Sequence, residues 1–293
     1  MRFALISDVH LGPQASHQGK LRKLTHQSEE LVMGFVRRMR DEVNPDLIIN
    51  LGDVIEDESA EKDRERYGHF VSMLREIGKP VLHVAGNHDT INLTCEELCT
   101  LWGTESNVMY SRDVEGVHFA VLRTIEHRGE RIELPAEQIA WLRDDLAKAT
   151  LPCVVLMHHP ASEMRLEGNR WFEKRPNLCR VVERRAVREV IEKSGKVLAV
   201  FNGHVHWNHF DVIAGIPYIT LQSLIENLDD DAPGRAAAAY AVCELDERRL
   251  VVNVGGAEAV RYQVERTRPA DQSGPDHQRT RPGIVYESGP DPG

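Results

Sequence analysis

Five short apolar runs rich in Val, Ile and Leu, at residues 3–6, 47–51, 81–85, 154–157 and 197–201, constrain the fold more than any other feature of this chain. Each run stops at residues that can carry a metal ion or a proton. Asp8-Val9-His10 follows the first, Gly52-Asp53 the second and Gly86-Asn87-His88-Asp89 the third. His158-His159-Pro160 follows the fourth, and Gly203-His204-Val205-His206 the fifth. Runs of this length and composition predict buried β-strands. In open α/β sheets the loops at the C-terminal strand ends converge on one crevice, where ligands bind. One Asp-x-His or His-x-His alone says little, because alternate residues at a strand end often point the same way without binding anything. Five such endings together predict a shared site.

Between most of these runs lie stretches of helical period. Over residues 21–43 the apolar side chains Leu24, Leu31, Val32, Phe35, Val36 and Met39 recur near every third or fourth position, and Pro45 marks the exit. Residues 64–77, 135–148 and 179–193 read similarly. Strand and helix in alternation predict a layered α/β fold. Residues 110–124 and 210–254 have another texture, with strand-like segments broken by Gly, Pro and Asp turns and no helix between them, which predicts hairpins extending a second sheet. Beyond residue 264 Arg, Pro, Gly, Asp and Ser dominate and only residues 284–286 resemble a strand. The expected organisation is one domain over residues 1–265 and a disordered tail over 266–293.

Composition sets the outer bounds. With 41% hydrophobic residues the 293-residue chain can bury a substantial core. No run approaches the roughly 18 apolar residues of a membrane span, and Asp8 interrupts the first apolar segment before it could serve as a secretion signal, so a cytoplasmic protein without a membrane partner is expected. The formal net charge of −10 disfavours sequence-independent binding to nucleic acid. Five scattered cysteines do not suggest a disulfide framework, and Cys95 and Cys99 lack the second Cys or His pair that a zinc site would need.

Carboxylate and amide oxygens mixed with imidazole nitrogens suit first-row ions such as Mn, Fe or Zn. Seven good donors exceed the four to six or so that one ion needs, so two divalent transition-metal ions sharing a bridging carboxylate are expected. A helical di-iron bundle would instead carry Glu-x-x-His pairs on its helices, and none stands in that context here.

As an ordered set, the five motifs resemble those of the calcineurin-like metallophosphoesterases over residues 1–207. The resemblance implies a four-layer αββα sandwich with a dinuclear metal site at the strand ends. It further implies that Asp8, His10 and His206 hold one ion, that Asn87, His158 and His204 hold the other, and that Asp53 bridges them. The Gly-Asn-His-Asp and His-His-Pro motifs are similar to those of bacterial cyclic-nucleotide and glycerophosphodiester phosphodiesterases.

The expected activity is hydrolysis of a small phosphodiester, either a cyclic nucleotide or an alkyl or glycerol diester, by hydroxide bridging two ions. His88, beside Asn87, is the expected general acid, with Asp89 the residue expected to orient it. His159 should point away from the site in a supporting role. Trp171 and Phe172 are candidates for an apolar wall, and His209 for a substrate contact or a plain surface histidine. The alternatives are a phosphomonoesterase on the same ions, favoured if Arg165, Arg170 or Arg175 stands ready for the extra charge, and a metal-stabilised scaffold without turnover. Oligomeric state is left open, a homo-oligomer included.

Overall fold

A computed structural model of the chain describes residues 1–14, 16–104, 107–229, 231–265 and 285–288. In chain order the first half contains β1 (Arg2–Ile6), α1 (Ser28–Arg38), β2 (Leu47–Asn50), α2 (Ala60–Arg75), β3 (Val81–His83), α3 (Asp89–Asn92), α4 (Cys95–Trp102), β4 (Tyr110–Val114) and β5 (Val117–Val121). A small hairpin follows, β6 (Ile125–His127) and β7 (Arg131–Glu133), then α5 (Ala136–Lys148), β8 (Cys153–Leu156), α6 (Arg184–Ser194) and β9 (Val197–Asn202). The chain continues through β10 (His209–Ile213), β11 (Ile216–Thr220), β12 (Tyr240–Leu245), β13 (Arg249–Gly255), β14 (Val260–Glu265) and β15 (Val285–Ser288).

Two mixed sheets carry all of these strands but β6 and β7, which pair only with each other, in the orders β15-β14-β13-β12-β1-β2-β3 and β10-β11-β9-β8-β5-β4. Side chains alternate between the faces of a strand, so a strand buried on both faces reads as a continuous apolar run. In β1, Phe3 and Leu5 point between the sheets, while Ala4 and Ile6 point outward toward Val32, Phe35, Tyr67 and Phe70 of α1 and α2. In the second sheet Val154 and Leu156 face inward, and Cys153 and Val155 face Leu142, Val187 and Ile191 of α5 and α6. Helices cover both outer faces, which makes the four-layer αββα sandwich. Phe3 pins the two sheets together: its ring meets Phe119 at 5.9 Å and Phe201 at 5.8 Å between centroids, both edge-on.

The expected strands and most helices are present, with shifted ends. Residues 21–24 are not helical, because Leu24 N–H donates to Ile225 O (2.9 Å) and Asn227 N–H to Arg22 O (2.8 Å), tying this segment to the chain beyond β11. The segment 179–183 is likewise held outside α6, with Val181 N–H on Pro160 O (3.1 Å) and Val182 N–H on Ile132 O (2.9 Å). Helix α4 went unread, although Thr94 and Glu97 form a capping box at its start. The tail expectation is corrected for four residues: Val285–Ser288 pairs antiparallel with β14, whose unpaired edge groups gain backbone partners. The rest of 266–293 lies outside the described residues. Among the described residues no helix is long and apolar enough to cross a membrane.

Candidate metal centre

The loops after β1, β2, β3, β8 and β9 meet at one edge of the sandwich. Asp8 N–H donates to Gly52 O (3.0 Å) and His10 N–H to Asp53 O (3.1 Å), so the first two loops run side by side. Asp8, His10, Asp53, His204 and His206 all have left-handed backbones, with φ of 51°, 49°, 53°, 68° and 56°. Such conformations cost a non-glycine residue about 1–3 kcal/mol each and persist where surrounding structure over-determines them, as at functional sites. Two close approaches need glycine. A Cβ on Gly86 would collide with the backbone and carboxylate of Asp53, and one on Gly203 with the Ser7 hydroxyl and the Asp8 carboxylate.

The imidazoles are set by their outer nitrogens. His158 Nδ1–H donates to Leu51 O (2.8 Å), and its Nε2 lies 3.3 Å from Asp53 Oδ2 and 3.1 Å from Asn87 Oδ1. His206 Nδ1–H donates to Glu226 Oε2 (2.8 Å), and its Nε2 lies 3.5 Å from Asp8 Oδ1 and 3.1 Å from His10 Nε2. His10 Nδ1–H donates to Glu56 Oε2 (2.9 Å). His204 Nε2–H donates to Leu178 O (2.8 Å), which leaves Nδ1 as its other ring nitrogen. Metal-ligating histidines are oriented by just such carbonyl and carboxylate partners.

Donor atoms of Asp8, His10 and His206 lie within 4.8 Å of one another, as do those of Asp8, Asp53 and His158. All five residues are buried. Buried carboxylates and imidazole nitrogens pointing at each other are costly unless a cation or protons sit among them. The residues present therefore fit divalent cations.

Protonation follows the same geometry. Burial opposes charge on His158, but the Asp53 carboxylate holds its ring up to about 10. Burial likewise opposes charge on His206, and hydrogen bonds to Asp8 and Glu226 hold it up to about 9. His10 and His204 are pushed down by burial, to about 4 and about 3. Asp8 is lowered to about 2: His206 outweighs a burial that would raise it.

A scan against family models matches residues 1–208 to the calcineurin-like phosphoesterases. The chain belongs to that family. Among the relatives of this phosphoesterase is a protein of Synechococcus sp. described as a probable cyclic nucleotide phosphodiesterase, 26% identical over 216 residues, or 70% of this chain and 73% of the relative. A protein of Psychrobacter arcticus with the same description is 27% identical over 126 residues, covering 40% of this chain and 44% of the relative. Among solved structures, a dimetal phosphatase from Danio rerio superposes with a TM-score of 0.65 at 18% identity, covering 89% of this chain and 98% of that one. A purple acid phosphatase from yellow lupin, Lupinus luteus, gives 0.63 at 13% identity, covering 87% and 51%. At those identities the structures speak for the fold alone.

The phosphoesterase corrects one expectation about its own site. Asp89 does not orient His88. Its buried carboxylate accepts from the backbone N–H groups of Asp53 (2.9 Å), Val54 (2.8 Å) and Gly86 (2.9 Å), and so clamps two ligand loops together. Asp57 takes the orienting role instead, with Oδ1 2.7 Å from His88 Nδ1. The reason is local: His88 and Asp89 enter the short helix α3, where successive side chains point about 100° apart.

His88, Trp171 and Phe172 line a cavity of about 290 Å³ above the ligand cluster. His159 is buried, with Nδ1 2.6 Å from Thr124 Oγ1 and its ring against His204. His209 begins β10 and pairs with Asp211 at 3.4 Å, away from the cavity lining. Sequence reasoning missed Lys23, Glu56, Asp57, Glu126 and Glu226. None stands directly at the end of one of the five apolar strand runs, so that pattern did not mark them.

Proposed function

We propose that this phosphoesterase hydrolyses small phosphodiesters, a cyclic nucleotide or an alkyl or glycerol diester, in preference to phosphomonoesters. The observation that carries this reading is the charge of the cavity wall. A monoester brings a second negative charge and needs a cation ready to meet it. Among the described residues the one Lys or Arg lining the cavity is Lys23, and its Nζ is already 2.7 Å from Glu56 Oε2. Arg170 points elsewhere, donating to Asn227 O (2.7 Å) and Leu228 O (2.8 Å), and neither Arg165 nor Arg175 lines the cavity. The descriptions of the Synechococcus and Psychrobacter relatives agree with a diester.

In this reading Asp8, His10 and His206 would hold one divalent transition-metal ion (Mn, Fe or Zn), Asn87, His158 and His204 would hold a second, and Asp53 would be shared between the two sets. When bound, such a pair supplies Lewis-acid stabilisation of the phosphoryl oxygens and an activated water. Leu51 O, Leu178 O, Glu226 and Glu56 keep the four ligand imidazoles in register. His88 delivers a proton to the departing alkoxide from Nε2, because Nδ1 is taken by Asp57. Asp57 stabilises the charged ring: burial and Lys23 oppose its charge, yet the facing carboxylates of Asp53, Asp57 and Glu56 raise His88 above its ordinary value. A general acid so placed contributes on the order of 10² to 10⁴ in rate.

The test compares metal-loaded protein on bis(p-nitrophenyl) phosphate, cyclic AMP and p-nitrophenyl phosphate. The expected result is a higher kcat/KM on at least one diester than on the monoester. Faster monoester turnover would replace this reading with a phosphomonoesterase, and no turnover of any of the three by fully metal-loaded protein would favour a scaffold.

A further inference from the structure

The carboxylate of Glu126 is the one acidic group of the cavity wall with no part in the proposed reaction. It sits on β6 of the small hairpin and lines the cavity with Asn87, His88 and Phe172. Its direction is set by pairing. Glu126 stands opposite Ile132 across the hairpin, and directly opposed residues of an antiparallel pair project from the same face. Ile132 is fully buried in the core beside α5, so Glu126 is turned inward as well. The hairpin itself is held firmly: Ile132 bridges to Val181, and the Asn177 amide donates to Glu130 O (2.6 Å).

Every other acidic group in or beside the cavity has a donor. Glu56 takes Lys23 and His10, Asp57 takes His88, and Glu226 takes His206 and the Trp171 indole N–H. No hydrogen bond or ion pair from the described residues reaches the Glu126 carboxylate. A half-buried acceptor without a hydrogen-bond donor is unfavourable, and a negative charge there also repels an anionic substrate. The first cost vanishes and the second is offset if the substrate brings the donor. Glu126 shares the cavity wall with His88. Because His88 protonates the leaving oxygen, a neighbour on that side faces the leaving group.

We infer that Glu126 selects phosphodiesters whose leaving alcohol carries its own hydrogen-bond donor, a hydroxyl of a glycerol-like or sugar-like alcohol, close to the scissile oxygen. This rests on the diester reading above and narrows it, since a plain alkyl or aryl leaving group has nothing to offer the carboxylate. The hydroxyl is favoured over an ammonium group because Arg128, 3.6 Å from Asp57, adds positive charge on the same side.

The experiment measures kcat/KM of metal-loaded wild type, Glu126→Gln and Glu126→Leu on bis(glyceryl) phosphate, dipropyl phosphate and bis(2-aminoethyl) phosphate. Bis(p-nitrophenyl) phosphate serves as a donor-free reference, and metal content is checked in each variant. Wild type should prefer the glyceryl diester over the dipropyl one. Glu126→Leu should lose on the order of ten- to a hundredfold on the glyceryl diester, the effect of one hydrogen bond to a charged group. On the p-nitrophenyl diester it should instead gain, because a charge that repels the substrate is gone. Glu126→Gln keeps an acceptor oxygen and should fall between. Equal losses on all substrates, or none on the glyceryl diester, would overturn the inference while leaving diester hydrolysis standing. Loss confined to the aminoethyl diester would assign an ammonium ligand and overturn the hydroxyl. Wild type that turns over no diester at all would instead sink the underlying reading.

Discussion

Loading the site with divalent metal at pH 7.5 should release roughly two protons per chain from the ligating imidazoles, beside any that the activated water gives up, because a ligating imidazole must present a lone pair. The number comes from the geometry. In the metal-free protein Asp53 holds the His158 ring up to about 10, and Asp8 and Glu226 hold the His206 ring up to about 9, each against the opposing effect of burial. Both rings therefore carry two protons at pH 7.5. Their outer protons are engaged with Leu51 O and Glu226, so the ones to be displaced sit on the inner Nε2 atoms that face Asp53 and Asp8. His10 and His204, pushed down by burial to about 4 and about 3, are already neutral and contribute none. The apparent affinity for each ion, which displaces one of these protons, should thus rise by up to about tenfold per pH unit below pH 9, and the dependence should fade above pH 10. Calorimetric titration with Mn²⁺ in two buffers of different ionisation enthalpy reads the proton count directly. A count of zero at pH 7.5 would refute the reasoning, since it would mean that the carboxylates hold no protons on these rings.

Three further outcomes follow from other parts of the molecule. His88→Ala should keep both metals but lose on the order of 10² to 10⁴ in kcat on an alkyl diester and far less on a p-nitrophenyl diester, whose phenolate departs without a proton; equal losses on both would show that His88 only positions substrate. Phe3→Ala, which empties the contact between the two sheets, should destabilise the fold by about 3–5 kcal/mol in denaturant unfolding, and a change under 1 kcal/mol would contradict the pinning role. His118 lies between Asp145 (2.8 Å) and Asp113 (2.6 Å), which raise its pKa against burial. Its charged form is favoured in the fold, so its contribution is full below its unfolded value near 6.5 and lost as pH rises through the higher folded value. The Tm gap between wild type and His118→Gln should therefore shrink from pH 6 to pH 9, and a constant gap would exclude the effect.

The fold was legible because a strand buried on both faces leaves an unbroken apolar run, and each run here ends in residues that can carry a metal ion or a proton. That pattern put Asp8, His10, Asp53, Asn87, His158, His204 and His206 among the candidates, and their choice over His88, Asp89 and His159 as metal ligands came from what the family resemblance implies. What the pattern could not supply was the set of groups that hold those ligands. Glu226 reaches His206 only after the β10–β11 hairpin turns the chain back, and Glu56 reaches His10 because the chain at Leu11 runs parallel to that at Ile55. Asp89 misled for the opposite reason: adjacency to His88 in sequence suggested contact, whereas the helical turn at that point sends the two side chains apart. Residues 21–24 carried a helical period yet are not helical, since pairing with the chain near Ile225 outweighed local propensity.

The central claim, a phosphodiesterase that works through two ions held by these seven residues, is tested most directly by titrating chelator-stripped protein with Mn²⁺ while recording bound metal and bis(p-nitrophenyl) phosphate turnover together. The account predicts no activity in the stripped protein, a rise that levels off at roughly two ions per chain, and loss of both metal and turnover in Asp53→Ala. Full turnover by stripped protein, or an Asp53→Ala variant that keeps two ions and normal activity, would contradict it.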